Sequence, residues 1–135
     1  MDNAIRSLVR RRASDVCEYC RLPQASSLIV RFHIEHVIAR QHGGQTEPDN
    51  LALACSYCNY HKGPNIAAFD PKSGQLVRLF HPRQDLWADH FAWEEIVVVG
   101  LTAIGRATIE LLAINDWQRV EVRENLQNLG EPFAG

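Results

Sequence analysis

Apolar positions early in the chain recur at helical spacing: Ile5, Leu8 and Val9 mark one face of a helix expected over residues 2–14, with Asp15 near its end. From Ser27 to Ile38 the pattern changes to an imperfect alternation that reads as extended chain, and Gln41 to Asn50 is a polar loop punctuated by Gly43, Gly44 and Pro48. Leu51, Leu53 and Ala54 lead into a second helix expected over Ser56–Lys62, which Gly63-Pro64 stops. Beyond it, Asp70 to Gly74 reads as a turn between short extended segments, and Leu76–Phe80 as a strand. Trp87–Trp93 is aromatic-rich and Glu95–Val99 is a β-branched strand. Thr102 caps a helix that runs to Leu112, and a last amphipathic helix is expected over Asn115–Leu129.

A chain of 135 residues with 46% hydrophobic content can bury one compact core and one appended element. No apolar run is long enough to cross a membrane, and the arginine-containing start lacks an apolar signal segment, so a cytoplasmic protein with no membrane partner is expected. Net charge is −2, but it is unevenly spread. Residues 1–64 carry eight Lys/Arg against six Asp/Glu, and residues 65–135 six against ten. Arg6, Arg10, Arg11, Arg12, Arg21, Arg31, Arg40 and Lys62 are therefore candidates for a phosphate-facing side, with solvated surface charge as the competing reading for each.

The candidate chemistry lies between residues 17 and 62. All four cysteines fall in two CxxC pairs, Cys17/Cys20 and Cys55/Cys58, separated by 34 residues. Each CxxC turn aims two thiolates at one point, and two such turns complete a closed tetrahedral zinc site. With no thiol left over, structural Zn²⁺ is favoured over redox chemistry. The metal would join the residue-17 turn to the residue-55 turn and fix what lies between. That insertion holds Phe32-His33-Ile34-Glu35-His36, the glycine turn and Asp49-Asn50-Leu51, and Asn59-Tyr60-His61-Lys62 follows the last cysteine.

The order of these elements resembles the HNH endonucleases, the ββα-metal nucleases, in the version that carries a four-cysteine zinc site. Leu79-Phe80-His81-Pro82-Arg83 through Thr108 also resembles the C-terminal extension of one HNH subgroup. The resemblance implies an α+β fold: a ββα-metal core with N-terminal helix and zinc knuckles over residues 1–66, and a small α/β extension over residues 67–135 packed on it.

By the same resemblance, Glu35 stands where the family has an aspartate metal ligand and His36 stands at the general base. Asn50 stands at an architectural position that orients the base, and Asn59 at the second metal ligand. Carboxylate and carboxamide oxygens suit Mg²⁺ or Mn²⁺. His61 and Lys62 are implied phosphate contacts. Arg40 is a candidate for the same role, and His33, expected to share a strand face with Glu35, is a candidate metal or phosphate contact. The implied reaction is metal-dependent hydrolysis of DNA phosphodiesters to 5′-phosphate and 3′-hydroxyl ends, with RNA as a further candidate substrate. One site per chain nicks one strand, so a double-strand break calls for a homodimer or two encounters. Glutamate in place of aspartate lengthens the ligand by a methylene, and Ala39 replaces a proline common after the base.

Bland readings stand beside these. On local evidence Asn50 is as well explained as a loop cap, Asn59 as a helix-surface residue, and His33 as structural. His42 reads as solvated, and His81 and His90 as packing or hydrogen-bonding residues. Trp87, Phe91 and Trp93 read first as core and second as a stacking platform for bases. The rival function is a non-catalytic zinc-stabilised module that binds nucleic acid or protein.

Overall fold

A computed structural model describes residues 1–131; residues 132–135, the end of the expected extension, lie outside the described residues. The first helix, α1 (Asn3–Arg12), starts where the Asp2 carboxylate accepts from the Ile5 amide at 2.9 Å. It ends on Arg10, Arg11 and Arg12, charges that suit the carbonyl end of a helix. Val9 is fully buried beneath it. Ser14 and Asp15 then take left-handed φ values of 54° and 55°, turning the chain into the first cysteine pair.

Strands β1 (His33–His36) and β2 (Leu51–Ala54) pair antiparallel, with His33 opposite Ala54 and His36 opposite Leu51. The extended stretch expected over 27–38 is thus a strand only at 33–36. Its partner β2 is four residues long before the Cys55 turn, so the chain before His33 has no ladder to join. Instead it carries Leu28 and Ile29 almost wholly exposed. All four β2 residues are buried, which is why Leu-Ala-Leu-Ala lacks the alternation of a half-solvated strand. Cys55 then caps α2 (Ser56–Lys62), which spans the residues expected of it.

The second half is built from hairpins and helices. β3 (Ala67–Phe69) pairs with β4 (Leu76–Arg78). The intervening turn is organised by Asp70, whose carboxylate accepts from the Ser73 hydroxyl at 2.7 Å and from Arg106 through two bonds of 2.9 Å. The Arg106 bonds first, then those from Ser73 and the backbone, hold the Asp70 carboxyl well below its ordinary range despite its burial. A short helix α3 (Trp87–His90) precedes β5 (Phe91–Glu94), which pairs with β6 (Val97–Gly100).

The strand expected over 95–99 therefore starts two residues later. Glu95, at φ 57°, and Ile96 make the tight turn between paired Glu94 and Val97. Helix α4 (Ala103–Leu111) is capped by Thr102, whose hydroxyl accepts from the Gly105 amide at 3.0 Å, and α5 (Trp117–Asn128) closes the fold.

One hydrophobic cluster runs through both halves, joining Val9, Tyr19, Leu51 and Leu53 to Phe80, Phe91, Val98, Leu112, Ile114 and Leu126. Phe91 is fully within it, and Trp87 and Trp93 pack against it, so these aromatics serve the core. His81 accepts from the Arg83 and Gln84 amides, and His90 pairs with the Thr102 hydroxyl at 2.6 Å, the hydrogen-bonding roles expected of them. Among the described residues no helix is long and apolar enough to cross a membrane.

Candidate metal centre and active site

The two cysteine turns converge. The four sulfurs lie within 4.8 Å of one another, all buried, with Cys20 Sγ and Cys55 Sγ 3.7 Å apart. A zinc ion with four bonds of about 2.3 Å sets sulfur–sulfur edges of about 3.8 Å, so the donor set fits tetrahedral zinc. Local geometry makes each half of the site. The first turn is closed by bonds from the Cys17 amide to Leu22 O and from the Arg21 amide to Cys17 O, with Arg21 at φ 68°. In the second, Cys55 Sγ accepts from the Cys58 amide at 3.4 Å at the start of α2.

Arg119 on α5 donates to Cys58 Sγ at 3.0 Å. Burial opposes its charge, but the sulfurs of Cys58, Cys20 and Cys55 outweigh that and raise its pKa. Burial likewise pushes the Cys17 and Cys58 thiols up, so an assembly of thiolates there needs a cation.

The first turn also grips the strands. The Glu18 amide donates to Leu53 O and its carboxylate accepts from the Leu53 amide, both at 2.9 Å, while its other oxygen pairs with Arg83. Tyr19, fully buried between the cysteines, donates its hydroxyl to Glu35 Oε1. The other Glu35 oxygen takes Lys62 Nζ at 3.0 Å, and Lys62 also donates to Val37 O at 2.9 Å and to His36 O at 3.4 Å. Glu35 is 7% exposed and Lys62 1%. Burial pushes the Glu35 carboxyl up, opposed by Lys62 and the Tyr19 bond.

This corrects the expectation for Lys62. Its ammonium lies inside the protein rather than against phosphate, because Lys62 stands one turn after buried Cys58 on the same inward face of α2. That i, i+4 spacing was the available signal. Glu35 faces inward for the complementary reason, as the buried member of β1.

Lys62→Met leaves the Glu35 charge sealed without its cation, and a loss of about 3–5 kcal/mol is expected by denaturant unfolding. Adding Glu35→Gln to that variant should recover a large part of the loss. Equal stability of the single variant and wild type would show that the pair contributes nothing.

His36 ends β1 half-buried, with Nε2 2.7 Å from the Thr46 hydroxyl. Arg40, exposed, donates to the same hydroxyl at 3.3 Å. Nδ1 has no partner among the described residues. Partial burial, then Arg40 and Lys62, lower the His36 pKa, which favours neutral imidazole.

Asn50 holds the loop beside it. Its carboxamide accepts from the Ile38 amide at 2.9 Å and donates to Ile38 O at 3.0 Å and Gln45 O at 2.9 Å. Gly44 lies under this loop: a Cβ there would meet Ile38 O at 1.7 Å and Asn50 Nδ2 at 2.8 Å. Gly44→Ala is therefore expected to open the loop, lowering stability by about 2 kcal/mol or more in thermal melts. A melt unchanged from wild type would show that the loop tolerates the shift.

The remaining expected residues sit at the surface. Asn59 is half-buried on α2 and its carboxamide has no hydrogen-bond partner among the described residues, which fits a free oxygen donor. His61 is half-buried beside exposed Tyr60, with ring centroids 5.3 Å apart. His33 is exposed, 3.4 Å from the Ser56 hydroxyl, and does not share the buried environment of Glu35. His42 is exposed in the loop. The donor test for a hard divalent ion is thus split. Asn59 is free to ligate, whereas both Glu35 oxygens already have partners. Among the described residues the cysteines alone form a cluster of three or more His, Cys, Asp or Glu donors.

The family comparison falls on the segment just described. Residues 17–65 match the HNH endonuclease family model. No curated protein and no solved structure matches the chain. The HNH match takes in both cysteine turns, β1, the loop, β2 and α2, and the mixed helix and small-sheet architecture agrees with the HNH α+β fold. An HNH domain implies a nucleic-acid substrate. Tyr19, Thr46 and Arg119 are not among the residues that the sequence alone singles out. Tyr19 lies between two cysteines and Thr46 two residues after a glycine pair, positions that show proximity to the site only once the loop is folded.

Proposed function

We propose that the chain is an endonuclease that hydrolyses phosphodiester bonds, with DNA as its substrate and His36 as its general base, leaving 5′-phosphate and 3′-hydroxyl ends. The observation that carries the reading is His36 itself, within the HNH match. It is half-buried, its pKa is depressed, and one ring nitrogen is bonded to Thr46 while the other has no partner among the described residues.

In the tautomer that serves a base, Nε2–H donates to Thr46 and the Nδ1 lone pair accepts a proton from water. Lys62 holds the His36 carbonyl and Asn50 the following loop, so the imidazole keeps its aim. A divalent ion, when bound, supplies charge stabilisation at the scissile phosphate and the departing 3′ oxygen. Asn59 would hold it through its carboxamide oxygen, and Glu35 would join only by exchanging its bond to Lys62.

That sealed Glu35–Lys62 pair is also the observation favouring the second reading, a non-catalytic zinc-stabilised module that binds nucleic acid or protein. Nicking of supercoiled plasmid by the zinc-loaded protein, with Mg²⁺ or Mn²⁺ added or simply left out, separates the two. Omission is preferable to a chelator, which would also attack the cysteine site. Ion-dependent relaxation supports the nuclease. Inertness with every ion on duplex DNA, single-stranded DNA and RNA, with binding intact, supports the module.

A further inference from the structure

The basic residues of the first half are put to different uses. Arg12 donates to Pro48 O and Leu51 O at 2.6 Å, Arg21 lies over the Trp87 ring, Arg40 bonds Thr46, and Lys62 is buried on Glu35. Arg6, Arg10 and Arg31 instead line one cleft of about 560 Å³ between α1 and the start of β1, together with Asn3, Ser7 and His33. No carboxylate lines it. Asn3, Arg6, Ser7 and Arg10 recur at three- and four-residue spacing, so they form one helix face, beside the one that buries Val9. Arg10 Nη1 is shielded from solvent and has no hydrogen-bond partner among the described residues. Burial, then Arg31, and more weakly Arg6, push the Arg10 pKa down, with Asp15 opposing. That shielded donor leaves an unmet bond beside the cleft's other guanidinium groups, one that a phosphate oxygen would accept.

We propose that this cleft is a track for the sugar–phosphate backbone of a nucleic-acid strand leading to His36. The proposal rests on the nuclease reading for its substrate class. The cleft reaches His33 and Ile34 on β1, and Ile34 shares the strand face of His36 two residues on, about 7 Å at ~3.3 Å per residue. Arg6 and Arg31 contact successive phosphates, Arg10 fills its open donor from one of them, and Asn3 and Ser7 add neutral donors. Contacts of this kind set register on the backbone without reading sequence.

The test is binding of a short fluorescent DNA duplex across a salt series, in the His36→Ala background so that cleavage cannot intervene. Arg6→Gln/Arg31→Gln removes two exposed charges and leaves half-buried Arg10 in place, which protects the fold. The triple variant with Arg10→Gln is compared once its melt is known, and exposed Lys72→Gln on the β3–β4 turn is the control.

The double variant is expected to bind about 10-fold or more weakly at low salt, with the log–log salt slope shallower by about 2, while the control is unchanged. An affinity and slope equal to those of the parent, in folded protein, would overturn the track, as would failure of the parent to bind DNA. Inorganic phosphate that displaces the duplex at constant ionic strength as effectively as the substitutions do would mark an isolated anion site and also overturn it. The two readings fail separately. Plasmid nicking that persists unchanged in Arg6→Gln/Arg31→Gln, with unchanged binding, sinks the track and leaves the nuclease. Variant-sensitive binding in a protein that cleaves nothing supports the track and sinks the nuclease.

Discussion

Stripping metal from the four-cysteine site is expected to unfold the protein rather than loosen one loop. The first cysteine turn is bonded to β2 through Glu18, to β1 through Tyr19, and to the second half through Trp87, whose indole donates to Tyr19 O at 2.8 Å. The second turn starts α2 and receives Arg119 from α5. A structural zinc ion in a four-thiolate site contributes about 10–16 kcal/mol of apparent binding energy at neutral pH, as large as the whole stability of a small domain, about 5–15 kcal/mol. Without the cation, burial and then the neighbouring sulfurs push the Cys17 and Cys58 thiols up, while the sulfurs around Cys20 hold its pKa down, so Arg119 faces less negative charge than four thiolates supply.

Near-ultraviolet circular dichroism and melting should therefore lose their cooperative signal on treatment with a strong zinc chelator, and recover on adding back one equivalent of zinc per chain. Cys58→Ser should show the same loss without a chelator. A metal-free protein with a full tertiary signal and a sharp melt would show that the cysteines do not hold the fold.

The second large effect is in rate. His36→Ala is expected to lower the nicking rate about 10²–10⁴-fold, the usual contribution of a positioned general base. The histidine is half-buried and its side chain makes one hydrogen bond, to Thr46, so stability should move by no more than about 1 kcal/mol and zinc content not at all. Initial nicking rates, a melt and metal analysis of the same preparations check all three. A variant that keeps wild-type nicking with its zinc intact would remove His36 from the chemistry. Lys62→Met is the useful companion, since it disturbs the support of the His36 carbonyl together with stability, where His36→Ala affects chiefly rate.

Much of this site was legible before folding because its parts are local. A CxxC turn closes within six residues, from the Cys17 amide to Leu22 O, so its geometry is written in neighbouring positions. The second helix keeps its expected bounds, Ser56–Lys62, because its stop, Gly63-Pro64, and its start at a cysteine turn are both local signals. Asn50, for which the HNH resemblance implies an architectural role, makes three carboxamide bonds to Ile38 and Gln45 that span only five to twelve residues. The β5–β6 hairpin is less legible. Val97, Val98 and Val99 announce a strand, but whether Glu95 extends it or turns the chain depends on Phe91–Glu94 pairing back across it.

What the sequence determined by itself is the inventory and its local pairing: two cysteine turns for one ion, a histidine after a short β segment, and a glycine-marked loop closed by an asparagine. What only the tertiary structure decided is which charges meet. Glu35 and Lys62 are 27 residues apart, and both turn inward because β1 and α2 bury the faces that carry them. Arg12 is taken up by loop carbonyls while Arg6, Arg10 and Arg31 are left around one cleft. An ionised side chain reads the same in a sequence whether it ends in solvent, in an ion pair or at a ligand. Burial and distance separate these cases, and both are properties of packed elements.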